Sequence, residues 1–316
     1  MEKSMNISNL KELLNAEFVN EGSVSSVLGF ALSLNELKEG FAFFTNDEDE
    51  ARQALEKGTF CIVSEKKFKV LDRDVFYFCC EDLRRAVLRL LRFIAEQKQL
   101  EFILCETLEL DFGPAFEINV LQNDLNLDFA RILKAKNHSL FAFDDERYLS
   151  LLGAQILRLE NAVFEILPHA SLFSTSLICS GHFFKNLNFC FAYAQFFAKF
   201  FKLSLEKGLK FNEKKLDLMR VFFINARNEI TSNSERAFLL VKNEAQFYFL
   251  DKSLRHIKGF KSARCNSLFA DFSYNNLADL KTFKDFRYCL LLENEENFKE
   301  IFSPKANEKS LFDKEN

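Results

Sequence analysis

The sequence predicts an α/β fold, and three observations predict it. Short apolar runs such as Phe41–Phe44, Phe60–Ser64 and Tyr288–Leu292 have the length and continuity of strands buried on both faces. Amphipathic stretches at helical spacing separate such runs, the order of β-α-β units feeding one sheet. Acidic or amide residues follow several of the runs, where they can cap the next helix: Asp47, then Asp144-Asp145-Glu146, Asn243 and Glu293-Asn294-Glu295-Glu296. Their spacing is irregular, so this is a recurring grammar and not a repeat array.

Taken in order, residues 7–15 predict a short helix with Leu10, Leu13 and Leu14 on one side, and residues 24–30 a strand. Gly40 turns the chain into the Phe41–Phe44 strand. Asn46 or Asp47 caps the following helix, and Gly58 ends it where a left-handed residue is cheap. Residues 75–78 read as a strand. Residues 81–97 form the clearest helix, with Leu83, Val87, Leu90, Leu91 and Ile94 facing a core and Arg84, Arg85, Arg89 and Arg92 largely elsewhere.

Residues 102–105 are the next buried strand, Gly113-Pro114 a turn, 127–135 a helix and Leu140–Phe143 a strand. Segments 162–167 and 172–179 precede the Ser180-Gly181 turn, from which His182 returns as the second arm of a hairpin. A Phe-rich helix over 192–205 ends at Lys207-Gly208, and 221–224 and 237–241 read as strands. A domain boundary is expected at 98–101, giving domains 1–98 and 99–302 and a polar tail over 303–316.

The totals narrow the function. A length of 316 residues suggests about two domains. The net charge of −4 argues against a dedicated nucleic-acid binder, whose domain carries a basic face. The first ten residues lack the apolar core of a secretory signal. The most apolar window, 183–201, is interrupted by Lys185, Asn186, Asn188, Gln195 and Lys199, which excludes a transmembrane helix. Eight cysteines, mostly inside apolar runs and without a C-x-x-C pair, fit reduced buried thiols in a cytoplasmic protein better than disulfides or zinc.

Chemistry-bearing patterns are few. His138, His169, His182 and His256 are scattered, so no metal ligand set is expected. Ser174-Thr175-Ser176 near His182 has no G-x-S-x-G elbow. The acidic turns complement helix dipoles, although such turns can also border the ligand crevice of a doubly wound sheet. Glu106, Asp144, Asp145 and His182 are the candidate crevice residues. Arg227, Arg236 and Arg255 with Lys252 and Lys258 fit ordinary surface charge better than an anion-binding face.

The N-terminal third also carries a resemblance. Leu37-Lys-Glu-Gly-Phe-Ala-Phe-Phe44, Glu50-Ala-Arg-Gln-Ala-Leu-Glu-Lys-Gly58 and Cys61-Ile-Val-Ser-Glu65, with a last helix beginning at Glu81, resemble the N-terminal domain of the Mur ligases. These are ATP-dependent amide ligases that extend the peptide of the cell-wall precursor. The resemblance implies a Mur-ligase-like N-terminal domain, followed by a Rossmann-like region that holds the Phe-rich hairpin and helix and is expected to be a degenerate ligase core.

The departures are as specific as the match. The family's next strand enters a phosphate loop of glycines, lysine and threonine, which cradles phosphates and magnesium. Here Glu106-Thr-Leu-Glu109-Leu-Asp111-Phe follows, and no G-x-x-x-x-G-K-[ST] occurs anywhere. The family's aspartate-serine-arginine motif falls on Ser33-Leu34-Asn35. The leading expectation is therefore a pseudoenzyme without a cofactor, binding a cell-wall synthesis enzyme or UDP-linked precursor. The alternatives are an enzyme of another class acting on a nucleotide sugar or small molecule, and an oligomeric scaffold.

Overall fold

The computed structural model describes residues 4–168, 172–216 and 218–304. The chain forms two compact units. The first takes residues up to Leu104 together with Ile118–Arg158; the second takes Cys105–Glu117 and the chain from Leu159 onward.

The first unit runs β1 (Met5–Asn6), α1 (Ile7–Leu14), β2 (Ala16–Asn20), β3 (Ser26–Val27), β4 (Gly29–Ala31), β5 (Phe41–Phe44), α2 (Glu48–Glu56), β6 (Cys61–Ser64), β7 (Phe76–Cys80) and α3 (Leu83–Gln97). It continues with β8 (Glu101–Leu104), β9 (Asn119–Val120), α4 (Leu125–Lys134), β10 (Leu140–Phe143), α5 (Glu146–Leu152) and β11 (Ile156–Arg158). A five-stranded sheet has the order β2-β7-β6-β5-β4, with β2 alone antiparallel. A four-stranded parallel sheet has the order β11-β8-β10-β9. The four residues of β5 and the four of β6 are all buried, which is why those runs do not alternate. The strand expected over 24–30 is instead two short strands, β3 and β4, and β3 pairs with β1.

Helix α3 organises this unit. Asp82 caps it by accepting from the Arg85 N–H, and Ala86, Val87, Leu88, Leu90, Leu91, Ile94 and Ala95 are buried. Those side chains join one core with Phe44, Val63 and Phe78 of the first sheet and with Phe102 and Phe141 of the second. Residues 98–101, where a domain boundary is expected, are a tight link within this core: the Lys98 ammonium donates to the carbonyls of Ile132 and Ala135 at the end of α4.

A buried carboxylate ties α4 to α5. Asp128, fully buried, accepts from the Gln122 N–H at 3.0 Å and the Tyr148 hydroxyl at 2.9 Å, with Arg131 3.9 Å away. Burial pushes the Asp128 carboxyl above the usual carboxylate range, and these partners only partly offset it.

The second unit contains a 3₁₀ helix at Leu110–Phe116, then β12 (Phe164–Ile166), β13 (Thr175–Cys179), β14 (His182–Leu187), α6 (Ala194–Lys207), β15 (Arg220–Ile224), β16 (Arg236–Val241), α7 (Glu244–Leu254), β17 (Phe260–Cys265), β18 (Phe272–Tyr274), β19 (Tyr288–Leu292) and α8 (Glu295–Phe302). Strands β12, β13 and β14 form an antiparallel sheet whose hairpin turns at Ser180 and Gly181, both at positive φ. A second sheet has the order β15-β16-β19-β17-β18, with β15 antiparallel and the rest parallel. Phe298 and Phe302 of α8 pack with Phe238, Leu240, Leu291 and Ala263 on one face. Helix α7 packs on β19 and β17, and its buried Phe247, Leu250 and Leu254 stand outside that cluster.

Among the described residues no helix is long and apolar enough to cross a membrane. His169 and residues 305–316 of the tail lie outside the described residues.

Because the folded-state pKa of Asp128 is raised, its protonated form favours the fold, and that contribution fades as pH rises through the folded value. Thermal unfolding from about pH 4 to about pH 7 is expected to show Asp128→Asn gaining on the parent protein as pH rises. Parallel curves would contradict it.

Candidate functional site

The segment that follows β8 is where a phosphate loop would stand, and it is packed shut by its own side chains. Glu106 is exposed, and its N–H donates to Glu109 Oε2 at 2.8 Å. Glu109 is only 2% exposed, and its Oε1 receives the Lys199 ammonium of α6 at 2.7 Å. Asp111 Oδ2 accepts from Gln246 Nε2 at 2.8 Å, while Gln246 Oε1 accepts from the Lys242 N–H at 2.9 Å. Phe112 stacks on Phe200 and meets Phe189 and Phe196; Phe116 stacks on Phe200 and Phe211. Gly113-Pro114, expected as a turn, lies inside the 3₁₀ helix, because burial of the two flanking rings holds the backbone wound.

A buried ion pair of this kind is weak evidence for stability, but breaking it by removing one partner costs about 3–5 kcal/mol. The carboxylates of Glu109 and Asp111 are therefore committed to packing contacts.

A polar concavity of the second unit lies at the C-terminal ends of β16 and β19. These strands are parallel neighbours, and the helices that follow them, α7 and α8, diverge. That is the topological switch point at which open α/β sheets hold ligands. The crevice has a volume of about 440 Å³ and is lined by Arg220, Lys242, Glu293, Asn294 and Glu295 together with strand-end carbons.

Its charges are mixed and paired. Arg220 Nε meets Glu295 Oε2 at 3.0 Å, and Lys299 Nζ meets Glu295 Oε1 at 2.6 Å. The hydrogen bond from Lys299, then the charges of Lys299 and Arg220, hold the Glu295 carboxyl below its ordinary value. Tyr274 donates to Glu293, and burial followed by that carboxylate pushes its phenol far up. Asn243 caps α7 and Asn294 caps α8. The arrangement can bind a polar ligand bearing both signs of charge.

The first unit has a cavity of about 890 Å³ beside α1, β4 and α3, lined by Leu13, Phe30, Phe93 and Ile94 with Asn9 and Gln97. Such a volume suits a small ligand.

The four sequence-predicted residues fall in two units. Asp144 is exposed and Asp145 caps α5, accepting from the N–H groups of Arg147 and Tyr148. Both belong to the first unit, whereas Glu106 and His182 belong to the second. His182 Nδ1 lies 3.0 Å from the Ser180 carbonyl, and its ring meets the edge of Phe201. Thr175 donates to the Phe189 carbonyl and Ser176 hydrogen-bonds Asn186, so these hydroxyls serve the hairpin. Arg236 donates to the Phe283 and Phe286 carbonyls, and Arg255 pairs with Asp251. Sequence reading missed Lys242, Arg220 and Tyr274, which only the sheet order brings together.

Six of the eight free cysteines are buried, Cys79 is partly exposed and Cys265 is exposed. Burial pushes the thiols of Cys80 and Cys190 up to about 11. Among the described residues no cluster of His, Cys, Asp and Glu could hold a metal ion.

No protein-family model and no curated protein matches the sequence. Solved structures do match the fold. The crystal structure of MurF ligase from Thermotoga maritima, in complex with ADP, superposes with a TM-score of 0.55 at 12% identity, covering 86% of this chain and 96% of that one. The fold is Mur-ligase-like. A second Mur-ligase structure, MurF from Acinetobacter baumannii, gives a TM-score of 0.51 at 12% identity, covering 83% of this chain and 79% of that one. The Mur-ligase-like fold extends the resemblance of the N-terminal third to most of the chain, and at this identity it is a likeness of fold alone.

Two outcomes are expected. Lys199→Met should lower the unfolding temperature by several degrees, and adding Glu109→Gln should restore part of the loss, as a double-mutant cycle in urea would register. A thiol reagent should label Cys265 first and Cys79 next, with the six buried thiols reacting only on unfolding.

Proposed function

We propose that this chain is a non-catalytic protein of Mur-ligase-like fold that binds a precursor or a protein partner in cytoplasmic peptidoglycan synthesis. One observation carries the reading. The segment after β8 offers carboxylates and buried rings where a triphosphate would need bare amides and an ammonium, and Glu109 is locked to Lys199 behind it. A polyphosphate approaching the segment would meet the exposed Glu106 and the partly exposed Asp111, and like charges at short range repel it. The sequence supplies no phosphate loop elsewhere.

Binding without ATP chemistry is compatible with the concavities of the two units. The mixed-charge crevice of the second unit and the larger, mostly apolar cavity of the first are preformed recognition features that need no cofactor.

Thermal-shift measurements provide the test. ATP with magnesium at millimolar concentration should leave the unfolding temperature unchanged, and a UDP-muramyl peptide should raise it by a few degrees, as mass action requires of a ligand that binds only the folded state. ATP-dependent ligation, with release of ADP and phosphate, would overturn the proposal; an unmoved transition with the muramyl peptide would remove its precursor half.

A further inference from the structure

The second unit holds a buried hydroxyl that nothing uses. Tyr193 has no exposed surface, and its hydroxyl meets no hydrogen-bond partner among the described residues. Buried polar groups are nearly always paired, so an orphan needs a reason. Burial, and after it the nearby Cys190 and Asp111, pushes the phenol up. The hydroxyl therefore keeps its proton and is a donor without an acceptor.

The acceptor beside it is already in use. Asp111 Oδ2 accepts from Gln246 Nε2 at 2.8 Å. Tyr193 packs against the neighbours of both partners. Its ring lies 6.2 Å from that of Phe112, which follows Asp111, and 5.3 Å from that of Phe249, about one turn beyond Gln246 in α7.

Gln246 is itself fully buried and holds the start of α7 together. Its Oε1 accepts from the Lys242 N–H at 2.9 Å, and its own N–H donates to Asn243 Oδ1 at 2.9 Å. Lys242 lines the crevice at the ends of β16 and β19. The bond from Gln246 to Asp111 thus ties one wall of that crevice to the segment after β8.

We propose that Asp111 is a two-position latch on the crevice. In the first position it accepts from Gln246 and holds the Lys242-Asn243 turn. In the second it accepts from the Tyr193 hydroxyl and lets that turn move. One donor replaces another, so a modest pull on the turn is enough to change partner. The segment keeps its place in either position, because Phe112 and Phe116 stay buried and Glu109 stays on Lys199. The latch rests on the crevice being a recognition feature: a ligand that draws the turn toward itself throws it.

A double-mutant cycle on the full chain tests the latch with no crevice ligand present, so its failure is distinct from failure of the crevice reading. Tyr193→Phe alone should leave the unfolding temperature unchanged or slightly raised, because the lost hydroxyl has no partner in the first position. Gln246→Met alone should lower it modestly, since Asp111 turns to Tyr193. The same substitution in the Tyr193→Phe background should lower it about twice as far, because Asp111 then has neither donor. Amide hydrogen exchange at Gln246 and Phe247 should slow several-fold in Tyr193→Phe, with exchange in α3 of the first unit as in the parent. A large drop with Tyr193→Phe alone, additive losses in the cycle, or unaltered exchange at Gln246 and Phe247 would each overturn the latch.

Discussion

Burial of the 3₁₀ segment against α6 is the constraint on which the second unit depends. Phe112 and Phe116 are fully buried within a group of rings that includes Tyr193, Phe197 and Phe200. Each such ring removes a large apolar area from water, and the offset and edge contacts among them add to that. The Glu109–Lys199 pair sits beside the cluster and fixes how the segment enters it. A chain segment so committed cannot also open as a flexible cradle for phosphates. That packing is the observation on which the proposed lack of ATP chemistry rests.

The same logic separates the two concave features. The crevice of the second unit is a consequence of strand order, since β19 inserts between β16 and β17 and sends α8 to the face opposite α7. Two of its charges are already paired, since Glu295 meets Arg220 across the crevice and Lys299 along α8. A ligand there must exchange those pairs for its own charges, which selects for shape and mixed polarity. The cavity of the first unit owes its walls to α1 and α3 and selects chiefly for apolar surface.

Much of the fold was legible in the sequence where buried apolar residues run without a break. Phe41–Phe44, Cys61–Ser64, Leu140–Phe143 and Tyr288–Leu292 are strands because no polar side chain interrupts what both faces must bury. The caps Asp47, Asp145, Asn243 and Asn294 were legible because the side chain bonds two or three residues onward. Phe260–Cys265 was not, since Lys261, Ser262 and Arg264 make it read as polar until Asp271 and Glu244 supply partners. The candidate site was the least legible. The link from Lys242 through Gln246 to Asp111 crosses more than a hundred residues, and no local pattern encodes it. Glu106, Asp144, Asp145 and His182 were chosen for residue type, and type does not reveal that they fall in two different units.

Amide hydrogen exchange across residues 106–116, with and without ATP and magnesium, tests the central claim most directly. The packed segment predicts slow exchange of the amides at Phe112 and Phe116 that ATP leaves unaltered. Rapid exchange that becomes protected when ATP is added would contradict it, because that is how a phosphate-binding loop behaves.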